Sequence, residues 1–351
     1  MAPEGVTKGI PVSLRVVISG GKTGRRQYAR GDMSALPPDD DTGAGRVALA
    51  LGSGGARGYA HVGVIEELEA RGYQIVAVAG SSMGALVGGL HAAGGLPAYV
   101  EWARTLTQRD VLRYLDLGVG GGGAMRAEKV IAKVFDLVPD VRIEQLPIPF
   151  TAVATDLVAG REVWLQEGLL SDAIRASIAI PGVITPVTID GRTLADGGIL
   201  NPVPVSAAAA ARADLVVGVS LLGDRRGAPT SPVRGAAARL GLAGWRERIR
   251  PPIGPRPGAA PAADPAPAPS PVPGPALGLA DVMTLTLDAM QAQLARFRLA
   301  GYFPDVLITV PKDACRTGDF HRAAEMIELG RRLAAAALDG ADTGTGAPPA
   351  E

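Results

Sequence analysis

A serine in the first third of the chain has the surroundings that a catalytic nucleophile needs. Residues 80–84 read Gly-Ser-Ser-Met-Gly and lie between the small and β-branched run 75–79 and the apolar segment 85–90. A G-x-S-x-G pentapeptide between a strand and a helix is typical of a nucleophile elbow, in which the central serine oxygen projects from the end of a sheet. Ser82 is therefore the candidate nucleophile, and Gly80 and Gly84 are the small residues that the tight turn requires.

A second glycine-rich segment follows the first predicted strand. Residues 52–58 read Gly-Ser-Gly-Gly-Ala-Arg-Gly and open a helix, so that consecutive backbone N–H groups lie near a positive helix end. This arrangement predicts an oxyanion hole or a phosphate cradle, in which Arg57 could orient the loop or meet a phosphate. A dinucleotide site is the weaker interpretation, because the acidic residue expected after the second strand is absent. A P-loop is excluded because no Gly-Lys-Ser/Thr follows.

A serine nucleophile also needs a proton acceptor. Asp196 opens an Asp-Gly-Gly turn, with Gly197 and Gly198, at the end of a predicted hairpin strand. The two glycines let the backbone pass close to another segment, and the carboxylate could accept a hydrogen bond directly from Ser82.

The histidines offer an alternative base. Ser82, Asp196 and His321 follow the chain order of α/β-hydrolase triads, but the residues around His321 predict the first turns of an amphipathic helix instead of a loop after a strand. His61 and His91 fall inside predicted helices, and we interpret both as packed side chains.

The elements that must position these residues alternate between strands and helices. Strands are predicted at 47–51, 75–79, 150–154, 215–219 and 306–310, helices at 58–71, 82–94, 170–178, 279–300 and 319–338, and hairpins over 156–164 and around 190–191. Such alternation favours parallel strands joined by crossover helices, while the hairpins add antiparallel strands. The predicted fold class is therefore α/β with a mixed sheet.

Composition limits the domain organisation and the function classes. Residues 1–45 are predicted to form a disordered arm, 46–338 the folded domain and 339–351 a disordered tail; the domain is interrupted at 224–278 by an Arg-rich and then Pro/Ala-rich insertion. We interpret the insertion as a surface linker, with a membrane or partner contact through Trp245 as the alternative. The 35 basic and 35 acidic residues balance, which gives no indication of nucleic-acid binding.

The composition also bears on the cellular compartment and on metal binding. A single cysteine, Cys315, excludes an intramolecular disulfide framework and a cysteine-based metal cluster. Neither a signal peptide nor a run of about 18 apolar residues is recognisable, so we expect a cytoplasmic protein without a membrane span. No metal and no cofactor are expected.

Taken in order, the glycine loop with Arg57, the pentapeptide around Ser82 and the turn at Asp196 closely resemble the patatin-like phospholipases, in particular their bacterial members. The resemblance runs from about Arg46 to Ser220 and resumes more faintly from Leu279 to Leu338. It implies a three-layer α/β/α fold with a central, mostly parallel but mixed sheet. It also implies a Ser–Asp dyad without histidine, which hydrolyses acyl esters of phospholipids, lysophospholipids or neutral lipids.

Carried over by position, the resemblance makes Ser82 the nucleophile and Asp196 the general base. It also implies a set of backbone positions: an oxyanion hole at Gly54, Gly55, Ala56, Arg57 and Met83, and motif glycines at Gly58, Gly80, Gly84, Gly197 and Gly198. Ser53 departs from the family pattern, which opens this loop with three glycines. The implied partner is a phospholipid or another acyl-ester lipid, with peripheral membrane contact as an inference from such a substrate; the oligomeric state is left open. The alternatives are a lipid-binding regulator with a residual site, acyl transfer to an acceptor other than water, and a triad esterase that uses His321.

Overall fold

A mixed eight-stranded sheet organises the computed structural model, which describes residues 45–115, 132–181, 183–224 and 279–342. The strand order is β5-β6-β3-β2-β1-β7-β8, with β4 also paired to β3. Strands β3, β2, β1, β7 and β8 run parallel, and β4, β5 and β6 form the antiparallel pairs. The strands are β1 Arg46–Leu51, β2 Gln74–Ser81, β3 Phe150–Asp156, β4 Arg161–Leu165, β5 Val187–Ile189, β6 Arg192–Asp196, β7 Leu215–Gly223 and β8 Val306–Pro311.

Helices cover both faces of the sheet. They are α1 Ala60–Ala70, α2 Met83–Ala92, α3 Leu96–Thr105, α4 Gln108–Leu115, α5 Leu170–Ser177, α6 Val205–Ala208, α7 Leu279–Gly301 and α8 Ala323–Asp342. Four 3₁₀ turns accompany them, at Gly55–Tyr59, Ile143–Gln145, Gly197–Ile199 and Phe320–Arg322. Among these described helices, none combines the length and the apolar character that crossing a membrane requires.

The alternation of side chains along β1 shows why the fold has three layers. Val47, Leu49 and Leu51 belong to the larger hydrophobic core, which also contains residues of α1, α2, α3, α5 and α8. Ala48 and Ala50 belong to a second core with residues of α6 and α7 on the opposite face. Because successive strand residues point to opposite faces, a strand that is apolar throughout is buried on both sides. The predicted α/β/α fold with a mixed sheet is confirmed.

Strand β3 has three neighbours, although a strand has only two edges. β4 pairs with residues 152–156 of β3, β2 with residues 150–153 and β6 with residues 154–156. Since the pairing with β4 overlaps both others, β2 and β6 must lie one after the other along the opposite edge. β2 is parallel to β3 and β6 is antiparallel to it, so the C-terminal ends of β2 and β6 face each other.

The structure departs from the predicted elements at several places. The helix predicted from residue 58 begins with the 3₁₀ turn Gly55–Tyr59, and α3, α4 and α6 were not among the predicted helices. The last helix begins at Ala323 and continues to Asp342, so the first four residues of the predicted disordered tail are helical. Residues 1–44, 225–278 and 343–351 lie outside the described residues, so the predictions for the arm, for nearly all of the insertion and for the rest of the tail stay predictions.

Candidate active site

Ser82 occupies the one-residue turn between strand β2, which ends at Ser81, and helix α2, which begins at Met83. Its backbone has φ 55° and ψ −122°, and the left-handed φ region is unfavourable for a residue with a side chain. Backbone strain of this kind persists only where neighbouring contacts hold it. One such contact is the Ser82 N–H, which donates to Ser177 Oγ at 2.9 Å, while the Ser177 hydroxyl donates to the Val153 carbonyl at 2.6 Å.

The motif glycines around this turn lie where no side chain would fit. A Cβ atom at Gly80 would overlap the backbone at Gly84, and a Cβ atom at Gly84 would overlap the Leu51 carbonyl of β1. A Cβ atom at Gly58 would overlap the Met83 side chain. The small residues of the pentapeptide are therefore required by the close approach of α2 to β1 and β2.

The shared edge of β3 brings Asp196 to Ser82. Ser81, the last residue of β2, is in register with Val153, and Asp196, the last residue of β6, is in register with Ala154. The chain must leave the sheet on both sides of this junction. It does so at Ser82 on one side and at Gly197 on the other, where a Cβ atom would overlap the Val153 carbonyl.

The two side chains are joined by a hydrogen bond. Ser82 Oγ donates to Asp196 Oδ2, and the Gly198 N–H donates to Asp196 Oδ1 at 2.7 Å. Ser82 is 3% exposed and Asp196 is 1% exposed. The backbone of Asp196 is also fixed, because its N–H donates to the Ala179 carbonyl at 2.9 Å and its carbonyl accepts from Thr155 Oγ1 at 2.9 Å.

Burial changes the proton affinity of this carboxyl group. Loss of hydration raises the pKa of Asp196 from 3.8 to about 7, although the hydrogen bonds from Ser82 and Gly198 act in the opposite direction. A general base works best when its pKa lies near the working pH, because it can then both accept and return a proton. The environment of Asp196 therefore suits proton exchange with Ser82 near neutral pH.

The glycine loop offers two backbone N–H groups at this site. Ser53 N–H donates to the Pro202 carbonyl at 2.8 Å, and Ala56 N–H donates to the Thr317 carbonyl at 2.9 Å. Between them, the amides of Gly54 and Gly55 have no acceptor among the described residues. The Ala56 amide already has an acceptor in this structure, and its place in the oxyanion hole stays a prediction. Gly55 has φ 57°, a conformation that glycine adopts without strain.

A third N–H group comes from the helix that follows Ser82. Met83 is the first residue of α2, and an N–H at this position has no acceptor within its own helix. Ala85 N–H and Leu86 N–H donate to the Ser82 carbonyl at 2.9 and 3.1 Å, so the first turn of α2 is bonded to Ser82 itself. The positive end of the helix thus lies beside Ser82.

Arg57 is buried and turned toward the protein. Its Nη1–H donates to the Lys312 carbonyl at 3.0 Å, and its Nη2 lies 3.8 Å from Asp288 Oδ1. The guanidinium group therefore connects the glycine loop to the end of β8 and to α7. Of the two roles considered for Arg57, this geometry favours orientation of the loop over contact with a phosphate.

The histidines are not bonded to the Ser82–Asp196 pair. His61 is fully buried and its Nε2 lies 2.8 Å from the Gly52 carbonyl, which can only accept, so Nε2 carries the proton. Burial lowers the pKa of His61 from 6.5 to about 4, which keeps the ring neutral. His321 lies on the 3₁₀ turn Phe320–Arg322, and its Nδ1 has no hydrogen-bond partner in the described part of the chain.

Sequence reasoning missed two contributors to this site. Ser177 holds the Ser82 amide, and its only signal is its place within the stretch of family resemblance from Arg46 to Ser220. His61 was interpreted as a packed side chain, and it is one, but its bond to Gly52 also fixes the start of the glycine loop. In the described residues, no group of three His, Cys, Asp or Glu side chains is placed to hold a metal ion.

Comparison with known proteins gives a consistent set of relatives. Residues 49–209 match the family model described as patatin-like phospholipase. An uncharacterized NTE family protein of Mycobacterium tuberculosis is 49% identical over 330 residues, which cover 84% of this chain and 91% of that protein. Patatin-like phospholipase domain-containing protein 6 of Homo sapiens is 32% identical over 183 residues, covering 50% of this chain and 13% of that protein. Among solved structures, VipD from Legionella pneumophila aligns with a TM-score of 0.39 and 14% identity over 84% of this chain and 66% of that chain.

Proposed function

Because the chain belongs to the patatin-like phospholipase family, we propose that it is a serine acyl hydrolase that cleaves carboxylic esters of phospholipids or lysophospholipids. Ser82 is the nucleophile and Asp196 the general base, and the reaction passes through an acyl-enzyme. The observation that carries this proposal is the direct hydrogen bond from Ser82 Oγ to the buried Asp196 carboxylate.

In the acylation step, Ser82 Oγ forms a bond to the ester carbonyl carbon while its proton passes to Asp196. The carbonyl electron pair moves onto the oxygen, and the N–H groups of Gly54, Gly55 and Met83 stabilise the resulting negative charge. Collapse of this intermediate breaks the bond to the alcohol. The alcohol leaves with the proton that Asp196 returns.

In the deacylation step, water takes the place of the alcohol. Its oxygen attacks the acyl carbon while Asp196 accepts one of its protons, and the same three N–H groups hold the charge. The carboxylic acid then leaves, and Asp196 returns the proton to Ser82 Oγ. A single base therefore serves both steps, which agrees with a pKa raised to about 7.

The competing functions are a lipid-binding regulator and an acyl transferase. The intact pair of Ser82 and Asp196 favours catalysis over a purely regulatory role. An acyl transferase would use the same residues and differ only in the acceptor that attacks the acyl-enzyme.

Active-site labelling tests the proposal directly. The purified full-length chain is treated with a fluorophosphonate, and the modified peptide is identified by mass spectrometry. We expect modification of Ser82 together with loss of phospholipid and p-nitrophenyl ester hydrolysis. Failure to label Ser82, with no hydrolysis of either ester, would favour the regulator. Ester products formed in the presence of added alcohols would favour acyl transfer.

A further inference from the structure

Ser53, in the glycine loop, stands at the same end of the sheet as Ser82. Leu51, the last residue of β1, is in register with Gly80 of the neighbouring strand β2. Ser53 and Ser82 each come two residues later, just beyond the end of the strand. The backbone of Ser53 is fixed there, because its N–H donates to the Pro202 carbonyl at 2.8 Å.

The side chain of Ser53 lies against the Asp-Gly-Gly turn that carries the proposed base. A Cβ atom at Gly198 would lie 2.5 Å from Ser53 Oγ and 3.0 Å from Asp196 Oδ1. The two oxygen atoms therefore border the same side of Gly198, within reach of one point. A molecule of the size of water that meets the carboxylate on this side also meets the Ser53 hydroxyl.

The Ser53 hydroxyl is open for hydrogen bonding. The residue is 4% exposed, and its Oγ has no hydrogen-bond partner among the described residues. This atom nevertheless keeps some contact with solvent, unlike the enclosed side-chain amide of Asn201 and the enclosed Nδ1 of His61. A hydroxyl group both donates and accepts, so an accessible hydroxyl without a partner can bind a small polar molecule.

Water and an alcohol differ in the number of protons that they can donate while they attack an acyl-enzyme. Each gives one proton to Asp196 as its oxygen bonds to the acyl carbon. The attacking water then has a second O–H group, which Ser53 Oγ can accept, whereas an alcohol has a carbon atom in its place. A hydrogen bond to Ser53 therefore lowers the barrier for water alone.

We propose that Ser53 is a specificity-determining residue, which favours water over an alcohol as the acyl acceptor. In deacylation, the water donates one O–H to the Asp196 carboxylate and the other to Ser53 Oγ. Its oxygen forms the bond to the acyl carbon, and the bond from that carbon to Ser82 Oγ breaks. The first proton passes through Asp196 to Ser82 Oγ, and the second stays in the carboxylic acid. This inference rests on the proposed hydrolase function and identifies what directs it toward hydrolysis instead of acyl transfer.

Such a contact affects the two halves of the reaction differently. Acylation releases an alcohol and is the reverse of attack by an alcohol, so the Ser53 hydroxyl contributes nothing to its transition state. Attack by water is the step that uses this hydroxyl, and loss of one hydrogen bond to a neutral group slows it about three- to tenfold. A general distortion of the glycine loop would instead slow both halves, because both use the same oxyanion N–H groups.

The experiment measures both halves on the full-length chain, with p-nitrophenyl butyrate as the substrate and methanol as a competing acceptor. The value of kcat/KM reports acylation, and the ratio of methyl butyrate to butyrate reports the choice of acceptor. Wild type should form mainly butyrate. Ser53→Ala should keep kcat/KM within about twofold and raise the ratio of methyl butyrate to butyrate about three- to tenfold. Ser53 lies outside the left-handed φ region, so alanine suits its backbone.

Two further variants accompany Ser53→Ala. Ser53→Gly also removes the hydroxyl and places at this position the glycine of the family pattern, so it should fold and shift the product ratio in the same direction. Ser220→Ala is the matched control, because the Ser220 hydroxyl is also buried but accepts from the Leu222 N–H within β7, at 3.4 Å. This control should leave both kcat/KM and the product ratio as in wild type.

The outcomes separate this inference from the hydrolase proposal. A shift of the product ratio in both Ser53 variants, with kcat/KM kept and Ser220→Ala unchanged, supports the role of Ser53. An unchanged ratio in Ser53→Ala, or an equal loss of acylation and deacylation, would overturn that role while the hydrolase function stands. If wild type releases no more p-nitrophenol than Ser82→Ala does, the hydrolase proposal itself fails, and the role of Ser53 fails with it.

Discussion

The hydroxyl of Ser82 donates directly to Oδ2 of Asp196, and the other carboxylate oxygen is held by the amide of Gly198. The two residues are 114 positions apart in the chain. They meet because β2 and β6 end against each other on one edge of β3. No side chain lies between the proposed nucleophile and the proposed base in this hydrogen bond, and the following predictions depend on it.

Removal of the nucleophile should abolish hydrolysis without unfolding the protein. For Ser82→Ala we expect a fall in kcat of at least about 10³-fold, because the remaining groups can only bind the ester and stabilise its charge. Hydrolysis of p-nitrophenyl butyrate and fluorophosphonate labelling measure this effect, and circular dichroism checks the fold.

The neighbouring serine provides the matched control. Ser81 has a buried hydroxyl that donates to the Asn201 carbonyl at 2.6 Å. Ser81→Ala should lower the free energy of unfolding by about 1 kcal/mol while Ser82 stays reactive. Equal loss of labelling in both variants would contradict the assignment of Ser82.

Substitution of the base separates the dyad from a histidine triad. Asp196→Asn keeps the shape of the side chain but cannot accept the Ser82 proton, so kcat should fall by about 10²–10⁴-fold. His321→Ala should leave kcat within a few-fold of wild type, since His321 is bonded to neither residue of the pair. Steady-state kinetics on both variants decides between them, and a collapse of kcat in His321→Ala alone would overturn the dyad.

The pH dependence of activity reports on the same carboxyl group. Asp196 must be ionised to accept a proton, and burial raises its pKa to about 7. For wild type, kcat/KM should therefore rise tenfold per pH unit below about pH 7 and level off above it. An acidic limb near pH 4 would show that burial does not raise the pKa of Asp196 as described.

Stability should respond to pH through two buried groups with opposite signs. Asp196 has a pKa of about 7 in the folded chain against 3.8 when solvated, so the folded state retains a proton that the unfolded chain releases. The contribution of Asp196 to the free energy of unfolding therefore falls as pH rises from about 4 to about 7. His61 has a folded pKa of about 4 against 6.5, so the unfolded chain takes up a proton that the folded state does not. The contribution of His61 to the free energy of unfolding falls as pH drops from about 6.5 to about 4.

Removal of the Asp196 carboxyl group should reveal the pH dependence of stability that His61 contributes. Each pKa shift changes the free energy of unfolding by an amount on the order of 3–4 kcal/mol. In wild type, the opposite pH dependences of Asp196 and His61 therefore largely cancel between about pH 4 and about pH 6.5. Asp196→Asn should have a higher free energy of unfolding than wild type at pH 7.5 and should lose stability steeply below pH 6.5, where His61 acts alone. Urea denaturation at pH 4.5, 5.5, 6.5 and 7.5 measures this. Parallel pH curves for wild type and Asp196→Asn would contradict it.

The glycine loop should contribute to rate through its backbone geometry. Gly55 has φ 57°, and a Cβ atom there would overlap Thr317, so Gly55→Ala must displace an amide of the proposed oxyanion hole. Loss of one such donor lowers kcat by about 10²–10³-fold. Gly160→Ala is the matched control, since Gly160 has φ 61° and open space around its Cβ position.

Gly160→Ala introduces an alanine at positive φ, as Gly55→Ala does, but its Cβ atom overlaps no neighbouring residue. Gly160→Ala should lose about 1–2 kcal/mol of stability and keep its kcat. Thermal unfolding and kcat are measured for both variants. Equal kcat values for Gly55→Ala and Gly160→Ala would remove Gly55 from the catalytic machinery.

Local signals in the sequence were sufficient for the strand, turn and helix around Ser82. The run 75–79, the pentapeptide and the apolar segment after it lie within a few turns of one another, and the structure places them as β2, the Ser82 turn and α2. Helix α3 had a local signal that was not used, because Gly95 precedes the helix and Pro97 occupies its first turn. Elements of this kind are predictable from short stretches of sequence.

The remaining features depend on contacts between distant segments. The bond from the Ala56 amide to Thr317 joins two segments that are far apart in the sequence, and no pattern near Ala56 indicates it. Ser177 holds the Ser82 amide only because α5 packs beside β3. The pairing of Asp196 with Ser82 was expected from the family resemblance, but its cause, the shared edge of β3, emerges only from the strand register.

The junction on β3 also makes the proposed esterase activity a measure of strand alignment during refolding. β2 pairs with Phe150 to Val153 and β6 with Ala154 to Asp156, so a shift of β6 by one residue would carry the base away from the nucleophile while leaving the helices intact. A refolding chain could thus regain its far-ultraviolet circular dichroism before its esterase activity. The lag between the two signals would time the closing of a single antiparallel strand pair.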